Sequence, residues 1–260
     1  MSTSKPLAGT SVLVTRPVGQ AEQLCERLQA EGALAVHLPT LAIVPSRPSA
    51  ALDALLAEVP AADWAVFASR NAVRYGLRLL AERGLRLDRR ARLATVGAGT
   101  AKALNEQGYA VSCQPGQGFN TEALLAMPEF DVAAGERVLI FRGEGGRPLM
   151  GESLRARGAE VGYVEVYRRE QPQVDVGAAL GAWQQEPRRW VIATSSEGLS
   201  NLLQMSGAAT GELQRAGLIT VSERIAADAR RQGWSGLVQV AAEPGDGGLL
   251  AAIVDAVQVQ

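Results

Sequence analysis

VLVTRPVGQ, residues 12–20, and VLIFRGEGG, residues 138–146, follow one plan: an apolar run, an arginine, then a loop containing glycine. Both runs are short and rich in branched apolar residues, so each reads as a buried strand. In the first copy Pro17 breaks the strand. Val18, Ala21, Leu24, Cys25 and Leu28 then recur at helical spacing until Gly32 stops the helix. ALAVHL (33–38) is the next strand, which completes a β-α-β unit with parallel pairing. From Val12 to Val138 is 126 residues, and Gly32 to Gly158 is the same interval. DWAVFASRNAV from 63 aligns with RWVIATSSEGL from 189 at 126 again, setting Trp64 on Trp190. ATVGAGTAKAL from 94 resembles LITVSERIAADA from 218, with 125 residues between Val96 and Val221. Three blocks in one order at nearly one offset indicate a duplicated α/β module.

The rest of the chain continues the alternation. Strands are expected at 64–69, 92–97, 109–113 (YAVSC), 137–141, 189–193, 217–221 and 237–241, with helices between them and a short helix at 120–127. Such alternation predicts an α/β protein with parallel sheets. The expected architecture is two similar parallel-sheet α/β lobes joined by two extended connectors, with a cleft between them. HLPTLAIVPSRP (37–48) and VEVYRREQP (164–172) follow the second strand of each copy and read as the connectors.

Composition narrows the function. The chain has 260 residues, enough for about two domains. Its 26 basic and 27 acidic residues leave a formal charge of −1, which gives no broad attraction to nucleic acid or an anionic membrane. Any anion site must be local. MSTSKPLAG lacks the apolar core of a signal peptide and no apolar run approaches ~18 residues, so a cytoplasmic location is the expectation. Cys25 and Cys113 are far apart and read as two buried free thiols. His37 is the single histidine and reads as structural or surface. No metal-ligand cluster, carboxylate pair or Walker loop appears, and in VGAGTAKAL Lys102 stands where a dinucleotide fingerprint needs its third glycine.

Ligands of open parallel sheets gather at the carboxyl ends of the strands, where helices begin and present free N–H groups. Small polar residues stand at several such places. Thr194-Ser195-Ser196-Glu197 fits a capping box with Thr194 and Glu197 three apart, and Ser69, Thr121 and Ser222 sit at other helix starts. Gly97-Ala98-Gly99 is a bare loop, and Arg16, Arg142 and Arg147 follow strand ends. Singly, each is an ordinary cap or a solvated arginine. Together they suggest a site for carboxylates or phosphates.

These residues resemble the uroporphyrinogen-III synthase family over essentially the whole chain. The likeness rests on LVTRP (13–17), FASRNAV (67–73), VGAGTAKAL (96–104), the long block GERVLIFRGEGGRPLMGESLRARGAEVGYVEVYRR (135–169), ATSSEGLSNL (193–202) and TVSERIAADARRQGW (220–234). The resemblance implies that the lobes are not the repeats: residues 1–38 with 173–260 would form the first lobe and 42–168 the inserted second, with connectors at about 39–41 and 169–172. It implies a substrate, hydroxymethylbilane, a linear tetrapyrrole with eight carboxylates. Its terminal hydroxyl would be released, its last ring inverted through a spiro intermediate, and the macrocycle closed to uroporphyrinogen III without cofactor or metal. A monomer is expected, admitting transient contact with the upstream enzyme. Tyr167 matches the family's tyrosine and would act as proton donor or substrate contact, unless it only packs at the hinge. Ser69, Gly97, Arg142, Gly143, Thr194, Ser195 and Ser222 carry over as substrate-binding positions, and Arg16 is the preferred carboxylate contact. Arg147 would be a further contact or would brace its own helix. A non-catalytic two-lobed binder of an anionic small molecule is the alternative.

Overall fold

The computed structural model describes residues 5–243 and 245–258. The chain divides into two compact units. One comprises the described residues up to Ala42 and from Glu170 onward; the other is Ile43–Arg169. In chain order the first unit opens with β1 (Thr10–Val14), α1 (Glu22–Ala30) and β2 (Leu34–His37). β3 (Ala42–Pro45), α2 (Ala50–Ala57), β4 (Trp64–Phe67), α3 (Arg70–Glu82), β5 (Arg92–Thr95) and α4 (Ala98–Glu106) follow. The second unit ends with α5 (Thr121–Leu125), β6 (Arg137–Gly143), α6 (Leu149–Ala156) and β7 (Glu160–Glu170). The chain then returns to the first unit through α7 (Val176–Trp183), β8 (Arg188–Ile192), α8 (Ser196–Ser206), α9 (Thr210–Leu213), β9 (Gly217–Thr220), α10 (Glu223–Arg231), β10 (Val238–Val240) and α11 (Asp246–Gln258).

The sheets run β10-β9-β8-β1-β2 and β3-β7-β6-β4-β5. Apart from one unmatched edge strand in each, β10 in the first sheet and β3 in the second, the order is the same once β1 is matched to β6, β2 to β7, β8 to β4 and β9 to β5. The register carries the duplication to single residues: Val12 pairs with Trp190 in one sheet, and Val138 with Trp64 in the other. The halves of each repeat are therefore exchanged. β1 of the first copy pairs with β8 of the second, and β6 of the second pairs with β4 of the first. Both β1 and β4 are buried along their length, as expected where helices cover both faces of a parallel sheet.

In the first unit Leu24, Leu28, Leu249 and Ile253 from α1 and α11 cover one sheet face. Leu180, Trp183, Leu199, Leu202 and Ile225 from α7, α8 and α10 cover the other. In the second unit α2, α3 and α4 supply Leu56, Val73, Leu80 and Leu104 to one face, and α5 and α6 supply Leu124, Met150 and Leu154 to the other. α3 sits close because it places Gly76 against the stacked rings of Phe67 and Phe141, whose centroids are 4.6 Å apart. A β-carbon at 76 would come within 2.9 Å of the Phe141 ring.

Three expected features differ. YAVSC forms no strand: Cys113 makes one isolated parallel bridge to Ala94. Pro115 follows two residues later and brings no N–H to extend the ladder. The stretches read as connectors are largely strand, since β3 lies inside 37–48 and VEVYRRE is the second half of β7. Two helix starts are shifted, as the site shows.

Candidate active site

In a doubly wound sheet the ligand crevice opens where the strand order reverses. In the second unit that point lies between the carboxyl ends of β4 and β6. A cavity of about 250 Å³ opens there, lined by Ser69, Arg142, Gly143, Arg147, Tyr163 and Tyr167 among others. A second, of about 460 Å³, shares Ala68 and Ser69 and extends over Gly97, Ala98 and Gly99 to Phe119. The structure thus brings six of the expected residues onto one strand-end face: Ser69, Gly97, Arg142, Gly143, Arg147 and Tyr167.

Tyr167 reaches this face through an irregularity in pairing. Arg142 is opposite Glu165, but Gly143 is opposite Tyr167, so β7 carries one extra residue there. Side chains alternate along a strand, and an extra residue reverses the alternation. Tyr163 accordingly packs on the α6 side of the sheet, while Tyr167 joins the α3 side with Val164 and Val166. Tyr167 is 5% exposed. Its ring lies 6.0 Å from that of Tyr75, and its hydroxyl is 3.2 Å from Ser69 Oγ. Ser69 also caps α3, its Oγ accepting the Ala72 N–H at 3.1 Å. Gly143 leaves the space that the Tyr167 ring fills.

Arg142 is mostly committed within the protein. Nη1 donates to the carbonyls of Gly146 and Arg147 at 3.1 and 3.2 Å, and Nη2 to Glu165 Oε1 at 2.9 Å. The guanidinium stacks 3.6 Å from the centroid of Tyr163. Nε is buried without a hydrogen-bond partner. Of five donors, three are used; the Nε–H is unpaired but buried, and one N–H on Nη2 is left for a ligand. Arg142 thereby ties down the loop 143–147. Arg147 neither caps nor braces its own helix, which starts behind Pro148. It reaches α5 instead, donating to Glu122 Oε1 at 2.7 Å. The amide of Glu122 itself and then Arg147 hold that carboxyl below its ordinary range. Thr121 is not the cap of α5 either: Asn120 Oδ1 accepts the Ala123 N–H at 2.8 Å. Gly97 precedes α4 with no side-chain cap.

On the first unit, Arg16, Thr194, Ser195 and Ser222 follow β1, β8 and β9. Ser222 caps α10, as expected. The capping box does not form as expected. Ser195, not Thr194, is the cap and accepts the Gly198 N–H at 2.9 Å. The reciprocal position is then Gly198, which has no side chain to reach back. Arg16 is ion-paired with Asp246 in the first turn of α11 and donates to the Gln20 carbonyl at 3.2 Å. His37 Nε2 lies 2.8 Å from the Arg16 carbonyl, a structural contact. Thr15, at the end of β1, donates to Ile192 O at 2.9 Å, and its carbonyl accepts the Thr40 hydroxyl at 3.3 Å. Sequence reasoning missed Tyr163, Glu165, Glu122 and Asp246. Gly143 inside a strand was the available signal of a close approach, but the partners of the arginines lie too far along the chain for any local pattern.

Both cysteines are free; Cys113 is buried and Cys25 only half-buried. Burial pushes both thiols above their ordinary value. Among the described residues no three His, Cys, Asp or Glu side chains gather as metal ligands, and no helix is long and apolar enough to cross a membrane.

A family model described as Uroporphyrinogen-III synthase HemD matches residues 22–251. The uroporphyrinogen-III synthase of Escherichia coli (strain K12) is 34% identical over 245 residues, covering 94% of this chain and 99% of that one. That of Salmonella typhimurium is 35% identical over 246 residues, with the same coverage. Among solved structures, a mutant uroporphyrinogen III synthase from the extremely thermophilic bacterium Thermus thermophilus matches with a TM-score of 0.62 at 19% identity, over 96% of this chain and 100% of the other. The uroporphyrinogen-III synthetase of Helicobacter pylori 26695 gives 0.61 at 15% identity, with the same coverage. At these identities the structural matches speak for the fold alone.

Proposed function

The chain belongs to the uroporphyrinogen-III synthase family, and on that footing we infer that it cyclises hydroxymethylbilane to uroporphyrinogen III, inverting the terminal pyrrole ring with loss of water. The observation that carries this is the relationship to the Escherichia coli synthase along nearly the full length of both chains.

The site assignments are our proposal. Tyr167 protonates the departing hydroxyl. A phenolic O–H can donate a proton, and the cavity at the Tyr167 hydroxyl gives it somewhere to donate to. The substrate carboxylates are taken by helix starts at Ser69 and Gly97, with Arg147 and the remaining Arg142 donor beside them. On the first unit Arg16, Thr194, Ser195 and Ser222 offer amides and charge of the same kind. One helix start stabilises an exposed anion by roughly 0.3–1 kcal/mol, and more when partly buried. Several acting together hold a polyanion without net positive charge on the protein. The competing reaction, closure without inversion, needs no enzyme, so selectivity comes from positioning the chain. Direct delivery by the upstream enzyme would limit that loss, and transient contact with it belongs to the same proposal. We also propose a cytoplasmic monomer; two free thiols fit a reducing compartment.

Incubation with enzymatically generated hydroxymethylbilane tests the reading. The type III isomer is expected. Type I alone would leave a non-catalytic binder of an anionic molecule in its place.

A further inference from the structure

The Ser69 hydroxyl has two neighbours with different demands. Its oxygen accepts the Ala72 N–H at the start of α3, a helix of 13 residues. Its other neighbour is the Tyr167 hydroxyl at 3.2 Å. A serine hydroxyl carries one proton and two lone pairs. Accepting from Ala72 uses a lone pair and leaves the proton, and the Tyr167 oxygen is the acceptor within reach. The Tyr167 ring is held in this orientation by the gap at Gly143 and by Tyr75, whose own hydroxyl is anchored on the Ile43 carbonyl.

We propose that Ser69 is a positioning residue for the reaction: it donates to the Tyr167 oxygen and stabilises the negative charge left there when the phenol gives up its proton. This rests on the assignment of Tyr167 as proton donor. The proton passes from Tyr167 to the hydroxymethyl oxygen of the substrate. The carbon–oxygen bond breaks with its electron pair going to oxygen, and water leaves. The methylene carbon is left as a cation shared with its pyrrole ring. The phenolate is then held by the Ser69 O–H, a charge-assisted bond stronger than the neutral contact it replaces. The Ala72 N–H polarises that hydroxyl in the same direction. Ser69 thus stabilises the transition state more than the ground state. The cationic methylene bonds to the substituted carbon of the last ring, giving the spiro intermediate; the bond from that carbon to its original methylene then breaks, and the positive charge passes to that methylene. That methylene bonds the unsubstituted carbon of the inverted ring, which loses its proton to the phenolate, so that the macrocycle is closed and the phenol restored.

Four variants test this: Ser69→Gly, Ser69→Thr, Tyr167→Phe and the double variant Ser69→Gly/Tyr167→Phe. Glycine is a tolerated N-cap, so the helix start is kept while the hydroxyl is lost. kcat and KM are measured with enzymatically generated hydroxymethylbilane, and a thermal melt with circular dichroism is recorded for each variant. Ser69→Gly is expected to lower kcat about tenfold, the scale of one hydrogen bond to a charged group, with KM within about twofold. Ser69→Thr is expected to recover most of kcat. In the Tyr167→Phe background, Ser69→Gly is expected to change kcat no further. An additive loss in the double variant, or a loss confined to KM, overturns the role of Ser69 while leaving Tyr167 in place. A Tyr167→Phe enzyme with full kcat overturns the donor assignment itself. If Ser69→Gly has a lowered melting temperature, all four variants are assayed below its melting transition, with the same outcomes.

Discussion

Tyr167 occupies the space that a side chain on Gly143 would need: a β-carbon there would lie 2.6 Å from two atoms of the phenol ring and 3.0 Å from its hydroxyl. The two residues face each other where the strand register shifts. Gly143→Ala must therefore move the ring. The cost is about 1–3 kcal/mol of stability, as for other overpacked positions. kcat should fall by roughly tenfold or more, because small displacements of a reacting group are costly. A melting curve and a kcat measurement on one preparation check both; unchanged kcat would mean that the hydroxyl position is not critical.

Tyr167→Phe removes the proposed proton donor but leaves the ring. Turnover should slow by roughly ten- to a hundredfold, at or below the usual range for a general acid, and should not vanish. Loss as complete as removal of a covalent nucleophile would contradict a mechanism resting mainly on positioning.

Ser195 and Ser222 each cap a helix and accept a single amide. Replacing either with alanine should cost about 1 kcal/mol of stability and alter kcat by less than about threefold, since the backbone N–H groups remain. A proline inserted at either helix start should be severe in both respects. Large kcat losses from the alanine variants alone would indicate that the hydroxyls, not the amides, meet the substrate.

Glu122 pairs with Arg147, and under the proposed site assignment it competes with the substrate for that guanidinium. Its carboxyl lies below the ordinary value of 4.5, so the pairing is present above that pH and is lost as pH falls through the lowered value. Across the neutral range KM should show no step from Glu122. Glu122→Gln frees Arg147, and KM for hydroxymethylbilane should drop by about twofold at low salt, the gain shrinking as salt is added. An unchanged KM in that variant removes Arg147 from the substrate contacts.

The duplication was readable because it is written in residues with fixed partners. Trp64 and Trp190 align in sequence, and each pairs with the matching valine of its sheet. The caps at Ser69 and Ser222 were also readable, since a small polar residue after a strand is a local signal. The cap of α8 slipped by one because three consecutive small polar residues compete, and backbone geometry chose Ser195. The side of the sheet taken by Tyr167 was not readable. Strict alternation would put it with Tyr163, and only the extra residue in β7 reverses it. The arginines were located but not their commitments: Arg16 meets Asp246 at a separation of 230 residues, and Arg142 meets Glu165 across two strands.

The exchange of repeat halves also sets an order of events at the ribosome. Thr15 at the end of β1 bonds Ile192, 177 residues later. Every strand of the inserted unit has been synthesised once the chain reaches Glu170, whereas β1 and β2 emerge first and must wait for β8. Two strands alone are at best marginally stable in water. Biosynthesis therefore finishes the middle of this polypeptide before its beginning, and the nascent N-terminal ribbon is the segment that a chaperone or a protease meets unguarded.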